Sequence, residues 1–226
     1  MRHLLVLVPA LLSASLLSGC VSYGVGSTAA VVPAGERTFA TLVEATPMPD
    51  FGSSCDPSGA SGDCLDNVST VVPMISSEVR IGIDGRSDWG VRLVGYSGLV
   101  ATYKRQLSRD STGLQVAAIG GVGVLNGLNT LAGEATLVVS VPERTVTPYG
   151  GLRVQQPLPI NNSPQDRPTA GGFAGVRFGS STFGISPEVG VYYDPSALGL
   201  RRREVVVVPV VTLHGRGFLS GLFPGF

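Results

Sequence analysis

Charged side chains are scarce in this sequence. They make up 14% of its residues, with 16 basic and 16 acidic side chains in balance, whereas typical soluble domains carry about 25%. The one run of basic residues, Arg201–Arg203, is best interpreted as part of a solvated loop. A neutral chain without a basic cluster argues against nucleic acid as a partner.

The apolar run from Leu4 to Leu17 is too short to cross a bilayer as a helix, which takes roughly 20 residues. It follows Arg2 and His3 and ends at Leu17-Ser18-Gly19-Cys20. A basic start, a short apolar core and small residues before a cleavage point are typical of a secretory signal peptide. The cysteine directly after them makes this stretch resemble the lipobox of bacterial lipoproteins.

That resemblance implies that residues 1–19 are removed and that Cys20 carries a diacylglycerol and an acylated amine, with palmitate among the chains. No other cofactor is predicted. Val21 stands where an aspartate would favour the inner membrane, so the implied address is the outer membrane of a Gram-negative envelope. The implied partners are membrane lipid, the lipoprotein-sorting machinery and the barrel-insertion machinery.

Cysteine and histidine are also rare. Beyond Cys20 only Cys55 and Cys64 remain, and an oxidising compartment makes a disulfide between them the default. Asp56, Asp63 and Asp66 lack the alternate-residue spacing of an EF-hand loop, so no metal site is predicted. His214 is the single histidine after residue 20, and no Gly-x-Ser-x-Gly motif surrounds any serine. We therefore expect no enzymatic activity.

Helix signals are almost absent, whereas Gly (31) and Pro (16) are abundant. Segments of alternating polarity separated by turn residues predict strands. Residues 20–35 are small and Gly-rich, which predicts a lipidated flexible tether; residues 36–214 form one β-domain, and 215–226 a C-terminal tail. Ten strands are predicted, near 36–47, 75–84, 88–96, 99–107, 113–122, 131–141, 145–155, 171–179, 183–193 and 205–214.

The connectors suggest how these strands are arranged. Those after the second, fourth, sixth and eighth strands are tight, whereas most of the others are long. Phe39, Trp89, Phe178 and Phe183 fall near one rim, and Tyr96 and Tyr193 near the other. Short turns at one rim, long loops at the other and two aromatic belts make the chain resemble small outer-membrane β-barrels.

The predicted fold is therefore an all-β, antiparallel up-and-down barrel of about ten strands, embedded in a membrane. An even strand number puts both chain ends at the periplasmic rim, where a lipid in the inner leaflet would hold residue 20. Pro148, Pro187 and Pro209 lie inside predicted strands and count against a barrel in lipid. The alternative is a periplasm-facing lipoprotein with a soluble β-sandwich or lipocalin-like domain that binds an apolar ligand or a protein partner.

The polar faces of the strands predict a network of ion pairs inside the barrel, because buried charges must be paired. A ten-strand interior is narrow, so a filled lumen with a structural or surface role is preferred over a narrow solute path, which stays open. The oligomeric state also stays open. The predicted network comprises Glu78, Arg80, Asp84, Arg92, Lys104, Glu134, Arg153, Arg177 and Glu188.

Overall fold

The computed structural model contains a single closed sheet of ten antiparallel strands, each paired with its neighbours in sequence and the last with the first. It describes residues 22–47, 71–95, 97–108, 113–125, 128–142, 145–160, 168–180, 183–194 and 205–215. Within these ranges no helix is long and apolar enough to cross a membrane. The strands are β1 (Arg37–Pro47), β2 (Val71–Asp84), β3 (Ser87–Val94), β4 (Gly98–Gln106), β5 (Gln115–Leu125), β6 (Thr130–Ser140), β7 (Val146–Pro159), β8 (Thr169–Gly179), β9 (Phe183–Tyr193) and β10 (Val205–Gly215).

The predicted all-β, up-and-down barrel of ten strands is thus confirmed. Its single closed sheet also shows that the alternative of two packed sheets, a sandwich, is wrong. The period-two pattern is visible in the structure: exposed and buried residues alternate along the whole of β9. Such alternation lets one set of side chains fill the interior while the other covers the outside.

The three prolines lie inside the strands and all face outward. Pro209 pairs with Val189 and Pro148 with Val176. Next to Pro187 the ladder between β8 and β9 is interrupted between the pairs Gly175–Glu188 and Phe178–Ile185. A proline cannot donate to the ladder, and this barrel accommodates one of them at a local gap in pairing.

The two ends of the barrel differ in their connectors. The three longest, 48–70, 160–168 and 194–204, lie at one end, here called the long-loop rim. The opposite end, the short-turn rim, carries the connectors 85–86, 107–114, 141–145 and 180–182. β5 continues to Leu125, so connector 126–129 is shorter than the sequence suggested. The asymmetry of the rims depends on the three longest connectors.

Residues 22–34, here called the luminal segment, lie inside the barrel. Ser22, Tyr23, Val25 and Ala29 are all buried. The prediction of a flexible tether over 20–35 is therefore wrong for the described part of that range. Small size and high glycine content are typical of linkers, but the same properties let a chain pass through a narrow interior.

Candidate functional site

The luminal segment crosses the barrel from one rim to the other. At one end, the Tyr23 hydroxyl donates to Asp194, the residue that follows β9 at the long-loop rim. At the other, Ala34 forms a parallel bridge with Gly82 near the short-turn rim. Gly35, with a positive φ of 76°, then leads the chain into β1. Apart from this contact at Gly82, the strands around the segment already pair on both sides, so its backbone must be satisfied mainly by inward-facing side chains.

Two glutamates accept hydrogen bonds from consecutive N–H groups at the end of the luminal segment that is nearer the long-loop rim. Glu44 Oε2 accepts from the N–H groups of Tyr23 (2.8 Å) and Gly24 (3.0 Å). Glu188 accepts from Val25 and Gly26, both at 2.9 Å. Both glutamates are buried, and burial of a carboxyl group is costly unless it is hydrogen-bonded. The luminal segment supplies those hydrogen bonds.

Beside these glutamates lies a cluster of two arginines and a glutamate, and its arginines donate hydrogen bonds to carbonyl groups of the luminal segment. Glu134 Oε2 lies 2.6 Å from Nη2 of both Arg92 and Arg153. The Nη1 group of Arg153 donates to the carbonyl oxygens of Gly24 (2.7 Å) and Tyr23 (3.2 Å). The cluster therefore joins β3, β6 and β7 to the luminal segment.

A second cluster lies nearer the short-turn rim. Arg80 pairs with Glu78 at 2.6 Å and with Asp88 at 2.5 Å. Lys104 lies 3.5 Å from Asp88 and donates to the carbonyl of Ala30 at 2.6 Å. Asp88 also accepts the N–H of Val32 at 2.8 Å. The two basic and two acidic side chains of this cluster balance in charge, and the cluster binds the half of the luminal segment that is nearer the short-turn rim.

Apolar contacts complete the seating of the segment. Val25 and Ala29 pack with inward residues that include Tyr149 and Phe173, and Tyr23 packs against Tyr192 with ring centroids 5.2 Å apart. Gly26 has a positive φ of 56°, and a Cβ there would collide with Thr212. The lumen and the segment therefore fit by shape as well as by hydrogen bonding.

Seven of the nine predicted network residues lie buried or nearly buried in the lumen, and Arg92, Lys104, Arg153 and Glu188, four of the seven, also form hydrogen bonds with the luminal segment. The seven are Glu78, Arg80, Arg92, Lys104, Glu134, Arg153 and Glu188.

Two of the nine lie elsewhere. Asp84 is exposed at the β2–β3 turn, where it accepts the N–H of Arg86, because β2 has by then reached the edge of the barrel. Arg177 is only partly buried, and its Nη2 donates to the carbonyl of Ser180 at 3.4 Å. Both side chains belong to the short-turn rim. The assignment of Asp84 to the network was therefore wrong, whereas Arg177 does lie on the inward face of β8 but bonds to Ser180 rather than to a member of the network.

Glu44 and Asp88 are functional residues that the sequence analysis missed. Asp88 shares its face with Arg92, and Glu44 shares its face with Leu42 and Thr46, so period-two spacing could have found both. No sequence signal pointed to their actual partners, the N–H groups of residues 22–34.

His214 lies near the short-turn rim, as its sequence position suggested. Its Nε2 is 2.8 Å from Ser186 Oγ, an arrangement that could belong to a nucleophile and its base. Ser186 is 0% exposed, so no substrate can reach that oxygen. In the described part of the chain no three His, Cys, Asp or Glu side chains group as metal ligands.

Two small cavities lie beside the luminal segment. A cavity of about 20 Å³ lies beside Ser22, Arg92 and Gln155, and one of about 10 Å³ lies beside Val25 and Arg80. Each has room for about one water molecule. An apolar ligand, as in the lipocalin-like alternative, would therefore have to displace the luminal segment.

Several residues to which the sequence analysis assigned a role lie outside the part of the chain that the structure describes. They are Cys20, Cys55, Cys64 and Tyr96, together with the signal peptide 1–19 and most of the tail. The lipidation and the disulfide remain predictions.

Among known proteins, the similarity found is to solved structures. No protein-family model matches the chain, and no curated protein matches it. The chain is similar to the crystal structure of Ail, the attachment invasion locus protein of Yersinia pestis, with 14% sequence identity and a TM-score of 0.32. The match covers 80% of this chain and 96% of that chain. At this identity and TM-score, the likeness carries no functional inference.

Proposed function

We propose that this protein is a lipid-anchored outer-membrane β-barrel with a filled lumen, which serves a structural or surface role. The observation that carries the proposal is the distribution of polarity. Apolar side chains cover the outside of all ten strands, and charged side chains occupy the inside.

The outward face is almost free of charge. Among the described strand residues that face outward, the charged side chains are Arg37 and Arg105, both close to the short-turn rim. Large apolar side chains are exposed on every strand, for example Leu137 at 41% and Val189 at 50%. Soluble monomers rarely expose apolar patches larger than a few hundred Å². A band that encircles the molecule is expected where acyl chains replace water.

Aromatic side chains support the same environment. Trp89, Phe178 and Phe183 face outward near the short-turn rim, and Tyr193 faces outward at the long-loop rim. Aromatic girdles at both interfaces are a feature of outer-membrane barrels. The long-loop rim is then the cell-surface side, and the short-turn rim faces the periplasm.

A filled lumen fits the interior better than a solute path does. The luminal segment occupies the space along the barrel axis, and the cavities beside it, of about 20 Å³ and about 10 Å³, each have room for about one water molecule. The clusters centred on Glu134 and Asp88 engage that segment and leave few charged groups to line a path. We therefore assign these charges to holding the segment.

The anchor is supported by Leu17-Ser18-Gly19-Cys20, and Val21 supports sorting to the outer membrane. The partners of such a protein are membrane lipid, the lipoprotein-sorting machinery and the barrel-insertion machinery.

The decisive experiment removes the lipid. Residues 1–20 are replaced by an ordinary secretory signal peptide whose cleavage leaves no cysteine, and cell fractions are washed with alkaline carbonate. We expect the protein to stay in the outer membrane and to migrate faster on gels when unboiled, because the barrel itself is embedded. The unaltered chain, labelled with radioactive palmitate, serves as the control for the anchor.

Recovery of the lipid-free protein as a folded, detergent-free species in the periplasm would contradict the membrane barrel. Absence of palmitate from the unaltered chain would contradict the anchor alone.

A further inference from the structure

The luminal segment runs in a defined direction. Its first residues are bound at the long-loop end of the barrel, where Gln155 donates to the carbonyl of Ser22 at 2.8 Å and Tyr192 donates to that of Tyr23 at 2.7 Å. Its last residues lie at the short-turn end, where the Gly35 N–H donates to the Gly82 carbonyl at 3.0 Å. The chain therefore enters the lumen at the long-loop rim and reaches β1 only after crossing the barrel.

This direction reverses the position expected for the chain before residue 22. The sequence analysis placed residue 20 at the periplasmic rim, because an even number of strands leaves both barrel ends there. β1 does begin at that rim, but Ser22 lies at the opposite one. The luminal segment adds an extra crossing that strand counting does not include.

The chain between Ser22 and Cys20 is too short to return. Two residues span at most about 7 Å, whereas the hydrocarbon core of a bilayer is about 30 Å thick. A lipid on Cys20 must therefore lie at the same rim as Ser22.

We propose that Cys20 emerges at the cell-surface rim, so that its acyl chains enter the outer leaflet and the anchor is connected to the barrel through its own lumen. This inference rests on the proposed membrane barrel and lipid anchor. The long-loop rim is thereby held against the outer leaflet of the membrane.

The bound start of the segment makes this exit point definite. The Ser22 hydroxyl donates to Glu44 at 2.6 Å, and the next two N–H groups bind the same carboxylate. Ser22 is only 3% exposed. A chain held this tightly at residue 22 can leave the barrel in one direction only.

The test places a protease recognition site between Val21 and Ser22 of the full-length protein, in cells labelled with radioactive palmitate. Two matched controls carry the same site between Gly85 and Arg86, at the short-turn rim, or within the connector 195–204. Protease is added to intact cells and to permeabilised cells. We expect the sites at 21/22 and in 195–204 to be cut on intact cells, and the site at 85/86 only after permeabilisation.

Cleavage at 21/22 should remove nearly all of the palmitate label from the barrel band. The proposal is overturned if the 21/22 site resists protease on intact cells while the site in 195–204 is cut. Protection of all three sites on intact cells would overturn the membrane orientation, and the proposal with it. Cleavage at 21/22 of a chain that never carries label would support the threaded exit and refute the lipid anchor of the proposed function.

Discussion

Arg153 joins the barrel wall to the luminal segment in the half of the lumen that is nearer the long-loop rim. It is 1% exposed, pairs with Glu134 and donates to two carbonyl groups of the luminal segment. Its guanidinium has several donors in a fixed plane, so one residue can bind a carboxylate and a backbone at once. Alternation along β6 and β7 predicted that Glu134 and Arg153 both face the lumen, whereas the contacts of Arg153 with the backbone of the luminal segment were not expected.

Replacement of Arg153 by methionine, which preserves much of its bulk, should lower the free energy of unfolding by about 3–5 kcal/mol. Removing one partner of a buried pair leaves the other uncompensated, although Arg92 still contacts Glu134. The measurement is a urea titration of protein refolded into lipid vesicles, followed by fluorescence of the single tryptophan, Trp89. Arg105→Met is the matched control, because Arg105 is an exposed arginine on the outer face of β4. Equal midpoints for the two variants would contradict the role given to Arg153.

At the scale of elements, the strands and the luminal segment differ in how much local sequence determines them. Each strand carries its own period-two pattern, so its existence and facing could be predicted without knowledge of its neighbours. Residues 22–34 carry no such pattern, because their partners are side chains from most of the barrel wall. The same sequence would be a linker if no complementary lumen surrounded it.

Deletion of residues 22–33 should convert the closed barrel into a conducting one. Water would enter to solvate Glu44, Glu188 and the guanidinium groups that the segment now binds. Single-channel recording in planar bilayers should show steady openings for the deletion variant and none for the full-length protein.

A synthetic peptide with the sequence of residues 22–34 should block this conductance, whereas a scrambled peptide of the same composition should not. If the deletion variant is folded, as judged by migration on unboiled gels, and still does not conduct, the side chains of the wall fill the lumen without the segment.

At the scale of the whole molecule, the barrel is apolar outside and charged inside. This arrangement leaves buried charges that need partners and an exposed apolar band that needs lipid. The luminal segment meets the first requirement, and the membrane meets the second. Both requirements follow from the alternation of side chains along each strand, because the charged set faces the inside of the sheet and the apolar set faces the outside.

The cost in stability of placing a charge on the outer face should show whether that face is surrounded by lipid or by water. Val189 is near the middle of β9 and Val205 is at the long-loop end of β10, and both are at least half exposed. In a bilayer, Val189→Arg should cost about 2–4 kcal/mol and Val205→Arg about 0–1 kcal/mol. The comparison uses urea titrations in lipid vesicles. Similar small costs at both sites would indicate that the band faces water.

The sequence by itself determined the strand count, the inward and outward faces of most strands and the apolar outer surface. These properties depend on a repeat of two residues, which is a local property of the chain. It also placed Arg80, Arg92, Lys104, Glu134, Arg153 and Glu188 inside the barrel.

Only the tertiary structure decided which groups those side chains bind and where residue 22 lies. Closure of the sheet brings β1, β7 and β9 around one space, and Glu44, Arg153 and Glu188 then converge on a segment distant from them in sequence. Convergence of this kind depends on barrel geometry rather than on any local pattern. For the same reason, composition suggested a free tether where the folded chain has a buried one.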